Sequence, residues 1–395
     1  MMSHPMFSDA AEGTMDSFIM SLVDVAARPG MLSFATGLPD NHMLDPEAVS
    51  KAVVDVLNED SSEVLQYGST VGYLPLRERI AERCRRVLGI SAGSDDIFIT
   101  NGSQECFDLI GRMFLNRGDR MAVENPGYLG ALQAFSSYGP VFDPIDIGSE
   151  GPDRNELENS VSAGAKLFYS IPNHQNPTGL TYSEECRKEV ASVIEGSDCL
   201  MIEDDAYGEL GFEGSRHSVM KSMAYDNTVL TGSFSKTISP GMRVGWMVAP
   251  EWMHSRASRS MEAASLQSNT FCQRVIDRFL ANNDYDVYLE KVRKGYRQKR
   301  DIFLNAMEDC LPDSVSWNHP DGGMFVWLMT PEGTDAMKLH TACIERGLVV
   351  MPGQPFHVRG GENTIRLNYA TPDEDAINKG MCILGQVCRD LYGGH

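Results

Sequence analysis

Between Ile97 and Ala249 the chain repeats one pattern: a short apolar run, a polar or glycine-rich turn, then an amphipathic helical stretch. The runs Ile97–Thr100, Met121–Glu124, Lys166–Ile171, Cys199–Ile202, Thr228–Thr231 and Val244–Ala249 are too short for core helices and read as buried strands. Gln104–Leu115 and Ser183–Ile194 are amphipathic at helical spacing and lie between them. Parallel strands need crossover connections, and helices supply them. The alternation therefore predicts a mostly parallel sheet covered by helices on both faces.

The remainder is patterned differently. Helical sequence fills Ala257 to Asp309, followed by strand-like Met324–Met329, Leu348–Met351 and Thr364–Asn368 and helical Asp335–Arg346 and Glu374–Tyr392. At 395 residues two units are expected. We place the boundary in the long helical stretch Tyr285–Asp309. The expected division is 1–45, packing with the smaller unit, then 46–290 and 291–395.

Net charge is −21, from 34 basic and 55 acidic residues, so the bulk field repels a nucleic acid or an anionic membrane. No apolar run approaches the ~18 residues of a membrane span, and Met1–Glu12 lacks the pattern of a secretory leader. The nine cysteines are scattered, odd in number and without a C-x-x-C pair. They read as thiols in a reducing, cytoplasmic compartment.

In a parallel sheet, ligands bind beyond the carboxyl ends of the strands. Five of the strands run into chemically unusual turns. Asn101-Gly102-Ser103-Gln104 offers a helix start to an anion, or a simple serine cap. Asn125-Pro126-Gly127-Tyr128 presents an aromatic ring that could stack on a flat ligand or pack as an ordinary half-buried aromatic. Asn176 lies in the turn Pro172–Gly179, where its amide could bind a ligand oxygen or satisfy its own turn. Asp204, within Glu203-Asp204-Asp205, could fix a proton on a heterocycle nitrogen, with Tyr207 close by. Ser233-Phe234-Ser235-Lys236 flanks a lysine with two hydroxyls, and Arg243 follows. Hydroxyls and a guanidinium suit a phosphate, and a desolvated lysine suits carbonyl chemistry.

Rival readings fail on missing parts. The S-x-x-K of a penicillin-binding protein needs a helix start and a K-T-G. A magnesium site at Glu203–Asp205 needs a P-loop. A dinucleotide site needs G-x-G-x-x-G. None of these supports is present, and the histidines show no metal-ligand spacing.

Taken in order, these segments resemble the class I/II aminotransferases of the pyridoxal-phosphate fold type I, from about Asp16 to the C-terminus. The most specific piece is Ser233 to Thr237 continuing through Ser239 to Gly245. Asn176-Pro177-Thr178-Gly179, Asp204-Asp205-Ala206-Tyr207, Tyr67-Gly68, Gly72-Tyr73, Leu76-Arg77 and Ile365-Arg366-Leu367 support it. Ser33–Pro39 and Leu65–Gly68 resemble the 2-aminoadipate, kynurenine and aromatic or branched-chain subgroup.

The resemblance implies an aspartate-aminotransferase-like fold with a mostly parallel seven-stranded sheet in a large domain and a smaller α+β domain. It implies pyridoxal 5′-phosphate as cofactor, an amino acid and a 2-oxo acid as substrates, a ping-pong mechanism and a homodimer with shared active sites. Lys236 should hold the cofactor and move the substrate proton. Asp204 should pair with the ring nitrogen, Tyr207 and Asn176 with the ring hydroxyl oxygen, and Tyr128 should stack. Ser103, Gln104, Ser233, Ser235 and Arg243 should bind the phosphate, with Tyr67 reaching that of the other subunit. Arg366, helped by Asn176, should clamp the substrate carboxylate, and Gly37 should line its pocket. Some relatives carry an arginine on the N-terminal helix where this chain has Met20; an apolar wall there would favour aromatic or aliphatic side chains. A lyase on the same fold and a non-catalytic regulator domain are the alternatives.

Overall fold

The computed structural model describes residues 6–59, 61–212 and 217–392. In chain order its strands are β1 (Leu32–Ser33), β2 (Ile97–Thr100), β3 (Arg120–Asn125), β4 (Val141–Gly148), β5 (Gly151–Pro152), β6 (Leu167–Ser170), β7 (Leu200–Asp204), β8 (Thr228–Ser233), β9 (Gly245–Val248), β10 (Ser316–Trp317), β11 (Phe325–Met329), β12 (Leu348–Val349), β13 (Met351–Pro352) and β14 (Thr364–Asn368). The large sheet has the order β2-β9-β8-β7-β6-β3-β4-β5. The run β8-β7-β6-β3-β4 is parallel, whereas β9 lies antiparallel between β2 and β8. This is the mostly parallel sheet of seven strands expected from sequence, with the two-residue β5 returning antiparallel along β4.

Six of those strands fall on the apolar runs. The seventh, β4, does not: Val-Phe-Asp-Pro-Ile-Asp-Ile-Gly holds a proline and two acids. Its place beside the two-residue β5 at the sheet margin explains the tolerance, because an edge strand can do without one amide donor. A second sheet, antiparallel in the order β10-β11-β14-β13, carries Arg366 on β14. The stretch Leu348–Met351 forms two short strands rather than one. Leu348 and Val349 pair with β1, while Met351 pairs with Arg366.

A 26-residue helix, Tyr285–Cys310, packs along the C-terminal helix Glu374–Tyr392. Tyr285 and Tyr288 join a core that includes Ile97, Leu230 and Phe279, and Tyr296 and Phe303 join one that runs on to Leu367 and Leu384. The N-terminal segment is pinned to this helix. Phe34, fully buried, meets Phe303 edge to face at 5.0 Å. Asp40 is buried and pairs with Lys299 at 2.5 Å, and the same amine donates to the carbonyls of Ala370 and Pro372. Further upstream, Met15 donates to Ser136 and Asp9 pairs with Arg117, so residues 9–15 lie against the large-sheet side.

Breaking a buried ion pair from one side leaves a bare charge. Lys299→Met should therefore destabilise the protein by about 3–5 kcal/mol, read as a lower urea midpoint at unchanged m. Adding Asp40→Asn should recover part of the loss.

Candidate active site

The carboxyl ends of β2, β3, β6, β7 and β8 converge on one cavity. Ser103, Gln104, Tyr128, Asn176, Asp204, Tyr207, Ser233, Ser235, Lys236 and Arg243 line it, together with Ile171 and Ala206. All ten polar positions were singled out in the sequence. They come together because the segments that carry them follow five strands of one sheet, with Arg243 just before β9.

Strand pleating sorts the three carboxylates at the end of β7, Asp205 lying one residue past it, since successive side chains point to opposite faces. Glu203 turns away and accepts the amides of Met220 and Lys221. Asp205 accepts from Asn173 at 2.7 Å, tying two cavity loops together. Asp204 alone faces the cavity. It is 2% exposed and accepts the hydroxyls of Tyr169 at 2.7 Å and Thr231 at 3.0 Å. Burial pushes its carboxyl up to about 6, against the opposing pull of those two hydrogen bonds. Both partners are neutral, so the aspartate is oriented by them without being neutralised.

Tyr169 and Thr231 were missed in the sequence. They sit inside the apolar runs of β6 and β8, where periodicity marks only burial. The available signal was chemical: a buried tyrosine hydroxyl needs a partner, and Asp204 supplies it from the adjacent strand.

Lys236 follows β8 and is half-buried, its Nζ donating to the Gly37 carbonyl at 2.9 Å. Burial, then the positive charges of Arg366 and Arg243, lower its ammonium to about 8. The amine thus gives up its proton more readily than a solvated lysine does. Tyr207 is buried beside it, 3.4 Å from the Asn176 amide nitrogen, with its phenol raised by burial.

The anion cradle is built from backbone as much as from side chains. Gly102, not Ser103, caps the helix Ser103–Phe114, with φ 75°. That backbone conformation is what calls for glycine, and a Cβ there would also push the Arg243 guanidinium aside. Ser103 is the first helical residue, and amides in this turn have no intrahelical acceptor. Arg243, itself left-handed at φ 52°, makes long contacts of 3.4 Å to Ser235 and to the carbonyls of Pro240 and Asn101. Its donor capacity stays directed at the cradle.

Arg366 is almost fully buried between the rings of Phe325 and Phe356, at 4.5 and 4.9 Å. It donates to Asn176 Oδ1 at 2.8 Å and to the Ala35 carbonyl at 2.5 Å, while its Nε has no partner. Burial lowers it to about 10, so it remains charged at neutral pH. Gly37 is joined to the site through Lys236. Tyr67 and Met20 are outside it: they do not line the cavity and are 76% and 60% exposed in the single chain.

Residues 29–381 match the family model of aminotransferase class I and II. Aromatic-amino-acid aminotransferase 1 of Thermococcus litoralis is 34% identical over 97% of this chain and 94% of its own length. The structure of an alpha-aminoadipate aminotransferase from Thermus thermophilus, complexed with N-(5′-phosphopyridoxyl)-L-leucine, is 35% identical, with a TM-score of 0.90 over 98% of each chain. The kynurenine aminotransferase of Pyrococcus horikoshii, solved with PMP, is also 35% identical, with a TM-score of 0.93 over 98% of this chain and 97% of that one.

The raised Asp204 carboxyl has a thermodynamic signature. Between its ordinary value of 3.8 and about 6, the folded chain holds a proton that the unfolded chain has released. Stability contributed at this position therefore falls as pH rises through that window, by on the order of 3 kcal/mol at neutral pH. Without bound ligand, Asp204→Asn should unfold at higher denaturant than the wild type at pH 7, the gap closing towards pH 4.

Proposed function

This chain belongs to the class I and II aminotransferase family, and we propose that it exchanges the amino group between an L-amino acid and a 2-oxo acid in a ping-pong cycle on pyridoxal 5′-phosphate. The observation that carries the reading is the charge inventory of one cavity. It holds a buried carboxylate with neutral partners only, an amine lowered to about 8 and an anion cradle. Pyridoxal phosphate offers a protonated ring nitrogen, an aldehyde and a phosphate, so the donor set fits the cofactor.

Lys236 would hold the aldehyde, Asp204 the ring nitrogen, and Tyr207 with Asn176 the ring hydroxyl oxygen, with Tyr128 against the ring face. The amides of Ser103 and Gln104, the hydroxyls of Ser233 and Ser235 and the Arg243 guanidinium would take the phosphate. When bound, the cofactor supplies an electron sink for the pair left at the substrate α-carbon. Asp204 keeps the ring nitrogen protonated, because a cation beside it relieves the cost of its buried charge. Tyr169 and Thr231 fix the direction of that carboxylate. Lys236 Nζ, lowered towards neutrality, takes the α-proton and returns one during the second half of the cycle. Arg366 receives the substrate carboxylate in the fork geometry of a guanidinium, its buried Nε carrying no competing hydrogen bond among the described residues.

A second copy of the chain completes the site. Tyr67, three-quarters exposed beside the equally exposed Leu65, would reach the neighbouring subunit's phosphate. The large domain comprises 46–290 and the small one 291–395; within 1–45, Phe34 and Asp40 pack with the small domain, whereas residues 9–15 lie against the large one. Aromatic, aliphatic or 2-aminoadipate-like amino acids are the substrate class, in keeping with the named relatives and the phenylalanines around Arg366. Among the described residues no helix is long and apolar enough to cross a membrane, and every cysteine is free, which supports action in the cytoplasm.

The test is a half-reaction. Holoprotein mixed with L-phenylalanine or L-2-aminoadipate, without acceptor, should release one 2-oxo acid per subunit and then stop; ammonia release with continued turnover would sink the proposal in favour of a lyase. Lys236→Ala should fold, lose covalent retention of the cofactor after borohydride reduction and lose nearly all turnover. Arg366→Ala should raise KM for every amino acid while sparing cofactor binding.

A further inference from the structure

Away from the cavity, two thiols face each other. Cys310 is the last residue of the helix Tyr285–Cys310, and Cys382 lies in the helix Glu374–Tyr392. Their sulfurs are 4.0 Å apart. The approach is built rather than incidental, because Cys382, Gly385 and Arg389 form one stripe at i, i+3 and i+7 that meets the end of the first helix. A Cβ at Gly385 would overlap the Cys310 carbonyl, and Arg389 donates to that same carbonyl at 2.7 Å. The two contacts hold residue 310 in place against the second helix. Access is also distinctive. Six of the nine cysteines are buried, whereas Cys382 is exposed and Cys310 is partly so.

We propose that Cys310 and Cys382 form a dithiol modification site, which a low-molecular-weight disulfide such as oxidised glutathione converts to an intramolecular disulfide. The exposed Cys382 thiolate attacks one sulfur of the reagent, forming a mixed disulfide and expelling a thiolate. The Cys310 thiolate then attacks Cys382 Sγ, forming the Cys310–Cys382 bond and expelling the second thiolate. The protons of the two cysteines end on the two released thiols, so the protein is oxidised by two electrons and the reagent reduced by two. Closing from 4.0 Å to a bond of about 2.0 Å asks for side-chain rotation of two residues on helix surfaces. Burial and the neighbouring sulfur raise the Cys310 thiol, consistent with first attack by Cys382. The bond closes a loop of 72 positions that contains the antiparallel sheet and Arg366, and so restrains the unfolded chain.

The full-length holoprotein is treated with oxidised glutathione, quenched with an alkylating agent and measured by intact mass and peptide mapping. The expected product has lost two hydrogens, retains no glutathione, yields a cross-linked peptide pair of residues 310 and 382, and melts at higher temperature until reduced. Cys310→Ser should instead keep one glutathione on Cys382, and Cys382→Ser should give neither product. Nine alkylated thiols after prolonged exposure, stable glutathione on Cys382 of the wild type, or a bond from Cys382 to any other cysteine would each overturn the proposal. None of these readouts depends on which reaction the cavity performs.

Discussion

A carboxylate taken out of water and given only hydroxyl partners sets the terms for the rest of this molecule. Ionised Asp204 is costly where it lies, and Tyr169 and Thr231 orient it without cancelling its charge. These three side chains come from three adjacent parallel strands, β6, β7 and β8, in the order 169, 204, 231. The sheet order is therefore a condition of the chemistry. A fold that separated β6 from β8 by any strand other than β7 would leave the aspartate short of a hydrogen bond and differently aimed.

The second charged centre, Arg366, arrives from the antiparallel sheet and is coupled to Lys236 through a short stretch of backbone. Residues 35–37 hang between two anchors, Phe34 in the core and Asp40 on Lys299. Their carbonyls meet Arg366 at one end and Lys236 at the other. Packing far from the cavity thus sets where two cationic groups point within it. Asn176 closes the circuit, accepting from Arg366 while its amide faces Tyr207.

The large sheet was readable in the sequence because burial on both faces writes parallel strands as continuous apolar runs. β4 escaped for the complementary reason: at the margin, with Pro144 and two acids, it has little apolar signal. Lys236, Asp204 and Asn176 were legible because strand ends concentrate polar residues that no packing role explains. Tyr169 and Thr231 were not, since their polarity is hidden within runs that otherwise signal core. Ser103 was placed correctly at a helix start, yet the cap is Gly102. Local sequence announces a cap region, and which residue takes it depends on the approach of Arg243 from 141 positions downstream. Tyr67 and Met20, expected at the site from sequence, are exposed and lie outside the cavity.

The reversed direction of β9 has a further consequence. Since β8 and β9 are antiparallel neighbours, the whole connection between them is one compact hairpin loop, and both the amine of Lys236 and the guanidinium of Arg243 ride on it. Their spacing is consequently metred by local covalent geometry and by one left-handed residue, independently of how domains or subunits settle. The residue count of this loop therefore shapes the cavity as directly as the side chains it bears.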